Sequence, residues 1–248
     1  MSLFRSIVFT SVLAGLIVGV AVSAVQFVGT SQLILKAEVF EKAGEATAPD
    51  AVAPAGHSHD AAAPATDDHS AMAAHEHEEG GWEPADGLER NAFTVAANIL
   101  TAIGYSLVLT GLIAFRSKPV TWREGLLWGL AGFACVMIAP MLGLPPELPG
   151  TPAAPLGERQ VWWIGTAVAT AAGIALIAFQ RKPWAAALAI VLIAAPHLIG
   201  APAAPEGEQA LAPEALEHQF VIAAVLTSLL FWALLGSLSG TFLRRFEA

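Results

Sequence analysis

One cysteine, Cys135, stands in a chain of 248 residues. That rules out an internal disulfide framework and a metal cage built of cysteines. Charge is scarce too: 13% of residues are charged and 55% are hydrophobic, with a mean hydropathy of +0.61. A soluble domain of this length has too little polar surface to cover so much apolar sequence. No G-x-x-x-x-G-K-[ST] loop and no dinucleotide fingerprint is present, so the chain does not hydrolyse ATP by that route. No His-Glu-x-x-His pair occurs to anchor a metalloprotease. The motifs do not favour an enzyme.

What is present is a series of apolar blocks, each near the ~20 residues that cross a bilayer. The first runs from Phe4 to Val28. Phe93–Phe115, Gly125–Leu144 and Val161–Phe179 follow, the last opened by the interfacial pair Trp162 and Trp163. Trp184–Ile199 is short and contains Pro196, and Phe220–Leu243 is closed by Arg244 and Arg245. The expected fold is an all-α integral membrane protein of six transmembrane helices. The first block also has signal-peptide features: Arg5, an apolar Ile7–Val20 core and the small-residue site Val22–Ala24. Leu33–Leu35 and Val39–Phe40 continue the apolar pattern past that site, which favours a retained span. Glu38 and Lys42, four residues apart, support a helix running out of the membrane toward Gly44.

Basic residues set the orientation. Arg5, Arg116, Lys118, Arg123, Arg181, Lys182, Arg244 and Arg245 fall on one side of a six-span arrangement, and only Lys36, Lys42, Arg90 and Arg159 on the other. Of 21 acids, only Glu124 and Glu247 join the first group. Both termini are therefore expected in the cytoplasm, with the acidic face in the periplasm of a bacterial inner membrane. An acidic outer face and few cytoplasmic basic residues argue against nucleic acid as a partner.

Between the first two spans lies the most distinctive stretch. His57, His59 and Asp60, then Asp67, Asp68 and His69, then His75 and His77 with Glu76, Glu78 and Glu79, sit among alanines and prolines. Residues 46–81 cannot bury enough apolar area to fold alone and are expected to form a disordered outer loop. Imidazole and carboxylate suit Co(II), Ni(II), Zn(II) and Cu(II), and affinity order alone does not choose among them. His-x-His pairs on a flexible chain can put two rings on one ion, with Asp60, Asp68 and His69 completing a shell. The bland alternative is a solvated linker. Weak capture fits a flexible site better than tight binding, because ordering the loop costs entropy.

The organisation expected is residues 1–45 as the first span with its extension, 46–81 as the loop and 82–248 as a five-helix bundle. Within the bundle, Leu-Ile-Ala-Phe-x-x-Lys-Pro occurs at Leu112–Pro119 and at Leu176–Pro183. Glu89–Arg90 matches Glu158–Arg159, and Ala139–Leu142 matches Ala195–Leu198. Segments 89–150 and 158–207 therefore read as two copies of one helical hairpin with the same direction, ahead of a last span at 216–245. Pro140 and Pro196 take matching places near the outer ends of their spans. Interrupted segments in two repeats point to a substrate site in transporters. Glu147, His197 and Glu206 lie beside them, and Glu38 and Glu41 are further acids of this face. Cys135, Met137 and Met141 do not share one face of a regular helix, so they read as core.

Several blocks together are similar to the CbtA family of predicted cobalt transporter subunits. They are Leu3–Arg5, Val12–Leu16, Leu33–Glu41, Trp82–Arg90, Gly132–Phe133, Ala139–Gly150, Arg159–Trp163, Ala195–Leu198 and Pro213–Leu216. Leu-Pro-Pro-Glu-Leu-Pro-Gly at 144–150 and Arg-Gln-x-Trp-Trp at 159–163 are the specific ones. The resemblance covers most of the chain outside residues 46–81. It implies an integral membrane component of bacterial cobalt uptake, with Co(II) as substrate and no tightly bound cofactor. It also implies a small one-span, His-bearing CbtB-like partner subunit; a homo-oligomer is a further assembly to consider. The family is usually drawn with five spans rather than six, and the His-rich insert is not a fixed part of its pattern.

Overall fold

The structure, a computed structural model, describes residues 2–47, 84–116, 119–180, 182–205, 207 and 209–247. The described residues form helices joined by short turns. α1 is Leu3–Val28 and α2 is Thr30–Thr47. α3 is Leu88–Phe115, and α4 is Trp122–Met141, with a π-helical stretch at Ala134–Ile138. α5 is Leu156–Phe179, α6 is Pro183–Ile199 and α7 is Glu214–Glu247. Five of these, α1, α3, α4, α5 and α7, are long and apolar enough to cross a bilayer.

The sixth, α6, has 17 residues. At 1.5 Å per residue that is about 25 Å, a little less than a ~30 Å hydrocarbon core. α6 returns antiparallel to α5, because His197 near its end packs on Trp162 near the start of α5. The described residues thus hold five helices of spanning length and a shorter apolar one, where the sequence reading expected six spans.

Four helices make the centre. α1 lies between α3 and α7, and α4 lies along α7. Val18, Val22, Ala102, Trp232 and Leu235 bury one another at mid-bundle, and Leu109, Ile113, Val120 and Leu243 do so nearer the termini. Glycine makes the contacts close. A Cβ at Gly15 or Gly19 would collide with the backbone at Ile103 or Ile99 of α3. A Cβ at Gly125 or Gly129 of α4 would meet the backbone oxygens of Gly236 and Trp232 in α7. Lipid tails are as apolar as leucine, so helices in a bilayer gain little from hiding apolar surface. They associate where small residues let backbones approach. The large apolar side chains instead point outward: Phe4, Leu100, Phe115, Leu127, Val161 and Ile190 are all exposed.

The α5–α6 hairpin packs chiefly on itself, with Gly173 against Ile193, and touches the rest mainly along the second half of α4. Its sequence counterpart behaves differently. α3 and α4 scarcely meet, since each is drawn onto another helix, α1 and α7 respectively. The matched hairpins therefore share sequence and direction but not packing.

The two ends of the bundle are distinct. Ser6 Oγ donates to the Phe246 carbonyl at 3.2 Å, so both termini lie at one end. α4 starts at that end with a reciprocal cap: Thr121 N–H donates to Glu124 Oε2 at 2.9 Å and Glu124 N–H to Thr121 Oγ1 at 3.3 Å. At the far end the chain bends at Gly29, and α2 folds over the bundle, burying Ala37 against Leu148 and Ala212.

The α4–α7 seam gives a sharp test. Gly129→Leu should cost more than the roughly 1–3 kcal/mol of ordinary overpacking, because backbone rather than a movable side chain blocks it. Gly104→Leu, where a Cβ meets open space, should be nearly silent. Thermal unfolding in detergent checks both; equal loss in the two variants would contradict the seam.

Candidate functional site

The end opposite the termini carries the described candidate side chains. Its geometry starts with the 142–155 connection, whose prolines and glycines forbid helix. Gly150 sits at φ +75, a conformation side chains rarely adopt, and its carbonyl accepts from Leu211 N–H at 3.3 Å. That bond ties the connection to the approach of α7.

Two arginines organise the charges. Arg90, at the start of α3, is paired with Glu38 of α2 and reaches Asp86 at 3.3 Å. Arg159, at the start of α5, pairs with Glu147 at 2.5 Å. These are the two arginines of the repeated Glu-Arg motif. Each holds a half-buried carboxylate from another element. The Arg90 hydrogen bond keeps the Glu38 carboxyl below its ordinary value of 4.5, against a smaller opposing effect of burial.

Glu147 also lines a cleft of about 490 Å³, together with Leu148, Thr151, and Glu217 and His218 of α7. Within it, Glu217 Oε1 and Thr151 Oγ1 are buried without a hydrogen-bond partner among the described residues. His218 lies 3.5 Å from Glu214, one turn back. Carboxylate oxygens and imidazole are suitable donors for divalent first-row metals. Even so, among the described residues no three His, Cys, Asp or Glu side chains converge closely enough to hold an ion. Its carboxylates can attract a cation, but the arrangement is not a closed shell.

His57, His59, Asp60, Asp68, His69, His75, His77 and Glu206 lie outside the described residues. Glu147 is at the cleft. His197 stands apart from it, with its ring 5.9 Å from Trp162, edge to face, while Trp162 Nε1 donates to the Pro196 carbonyl at 3.2 Å. Trp162 also fills the space beside Gly143, so one indole bridges the two proline-bearing helix ends. Glu41 is half-buried beside Gly150. Sequence reasoning passed over Glu217 and His218. The i,i+4 spacing of Glu214 and His218 was the signal that α7 begins before its apolar stretch.

The Glu38–Arg90 pair sets a pH dependence. Because the folded-state value is depressed, the contribution is present above pH 4.5 and is lost as pH falls below it through that depressed value. Amide exchange across α2, normalised for intrinsic rates, should rise in that range. In Arg90→Met it should already be raised at neutral pH and change little on acidification. A pH response unaltered by Arg90→Met would show that the pair does not hold α2.

The family described as a probable cobalt transporter subunit, CbtA, matches residues 4–244, nearly the whole chain. No curated protein and no solved structure matches it. Its helices, its opposed ends and this match agree: the chain is a multi-pass membrane protein and belongs to the CbtA family of probable cobalt transporter subunits.

Proposed function

We propose that this chain is the membrane-spanning component of cobalt uptake, working from the periplasm toward the cytoplasm. The segment 46–81, with His57, His59, Asp60, Asp68, His69, His75 and His77, captures the ion. The rim acids Glu147, Glu206 and Glu217, with His197, receive it. One observation carries the reading: the two chain ends that flank this segment emerge at the same end of the bundle as the acidic cleft, opposite the termini. In this reading capture and entry share one end of the bundle.

Charge supports the direction. Arg5, Arg116, Arg123, Lys182, Arg244 and Arg245 lie at helix boundaries of the terminal end, which the positive-inside rule makes cytoplasmic. An inward membrane potential then gives a dication about 4.6 kcal/mol per 100 mV, at about 2.3 kcal/mol per charge. The word "subunit" in the family description implies a partner; a small one-span CbtB-like protein is the one we propose. Nickel, zinc and copper share the ligand preferences and are the competitors to test.

A second reading has its own support. The lack of a closed ion shell among the described residues suits an accessory subunit whose bundle only scaffolds the capturing segment. Cobalt accumulation in cells separates the two. Under the transport reading, deleting residues 46–81 lowers accumulation several-fold at limiting cobalt but not at saturating cobalt, while Glu147→Ala lowers it at both. If the deletion abolishes accumulation at every concentration and Glu147→Ala is harmless, the accessory reading holds instead.

A further inference from the structure

α7 begins before its apolar stretch, and its first turns read Glu214-Ala-Leu-Glu217-His218. Positions three and four apart lie on one face of a helix. Glu214, Glu217 and His218 therefore project together, and Val221 continues that face one turn on. Glu217, His218 and Val221 are also what α7 presents to the cleft of about 490 Å³. Leu148, Val221, Ile222 and two prolines make most of the wall, so the few polar groups stand against an apolar background.

Those polar groups are incompletely partnered. Glu217 Oε1 and Thr151 Oγ1 are buried with no hydrogen-bond partner among the described residues. A carboxylate oxygen withdrawn from water without a partner is costly, so its place in a cleft calls for a ligand that brings positive charge. His218 Nε2 stands 3.5 Å from Glu214 Oε1. That is long for a hydrogen bond. It is close to the roughly 3.4 Å between two donors bound at about 2.1 Å to one tetrahedral ion. Glu147, across the cleft, is already engaged by Arg159 at 2.5 Å. An ion entering the cleft meets α7 before it competes for Glu147.

Exposure falls along the same row. The side chains of Glu214 and His218 are 85% and 72% exposed, and Glu217 is half-buried. A cation arriving from the outer face reaches Glu214 and His218 while still hydrated, and Glu217 next.

We infer that Glu214, Glu217 and His218 form the docking site where a cobalt-class dication first binds, at the mouth of the cleft, with the Thr151 hydroxyl beside it. The inference rests on the transport reading above and deepens it by naming the residues of first contact. One imidazole among carboxylates sets the class of ion. Co(II), Ni(II) and Zn(II) accept nitrogen and oxygen donors together, whereas Mg(II) and Ca(II) prefer oxygen alone. The described donors do not close a shell, so the ion keeps water on its remaining sides and is held loosely.

Histidine modification in the full-length protein tests this. Diethyl pyrocarbonate carbethoxylates unliganded imidazole, and peptide mass spectrometry reads His218 separately from the histidines of segment 46–81. His218 should react, and cobalt chloride should slow that reaction several-fold where equal magnesium chloride does not. Glu214→Gln and Glu217→Gln should each raise the cobalt concentration for half-protection several-fold. Glu214 is on the surface, so its variant tests the site even if Glu217→Gln fails to fold. Absence of protection at His218 would overturn the inference. So would protection equal in the wild type and both variants, which is cobalt on an isolated surface histidine. Protection in a protein that accumulates no cobalt in liposomes would leave the site standing and sink the transport reading. Accumulation with His218 unprotected would do the reverse.

Discussion

Backbone approach through glycine is the constraint on which the rest depends. In lipid, burying leucine against leucine gains little, so the four central helices need another reason to stay together. Gly15 and Gly19 supply it between α1 and α3, and Gly125, Gly129, Gly236 and Gly240 between α4 and α7. Once those pairs are fixed, the positions of Trp232, Tyr105, Asn98 and Gln26 follow. The Ser106 and Ser239 hydroxyls, 3.0 Å apart, add a polar tie across α3 and α7 where no water competes.

That frame keeps charge at the ends and neutral polarity within. The matched arginines, Arg90 and Arg159, each hold a carboxylate at the outer rim, so the rim is negative but ordered. Glu217 stands in the cleft with no ion-pair partner among the described residues. Moving inward, carboxylates give way to amides and hydroxyls.

Much of this was legible in the sequence. Apolar blocks gave the helices, Glu38 and Lys42 marked the extension that became α2, and Pro140 marked a helix whose backbone pairing is interrupted. The pairing of helices was not legible. In a membrane the exposed face is as apolar as the buried one, so hydrophobic periodicity does not tell lipid from neighbour. The repeat could mislead for the same reason: α3 and α4 match α5 and α6 in sequence, yet glycines elsewhere draw them to other helices. Met137 read as core, and it is half-buried in a π-helical stretch that spacing alone did not announce. The histidine-rich segment, the strongest signal in the chain, lies outside the described residues.

The central claim is that this chain itself provides the way through the membrane. Purified protein reconstituted alone in liposomes, with an inside-negative potential imposed, tests it most directly by following radiolabelled cobalt. The account expects time-dependent accumulation inside the vesicles, reduced by nickel. Liposomes that bind cobalt on their surface but never accumulate it, with the potential maintained, would contradict it.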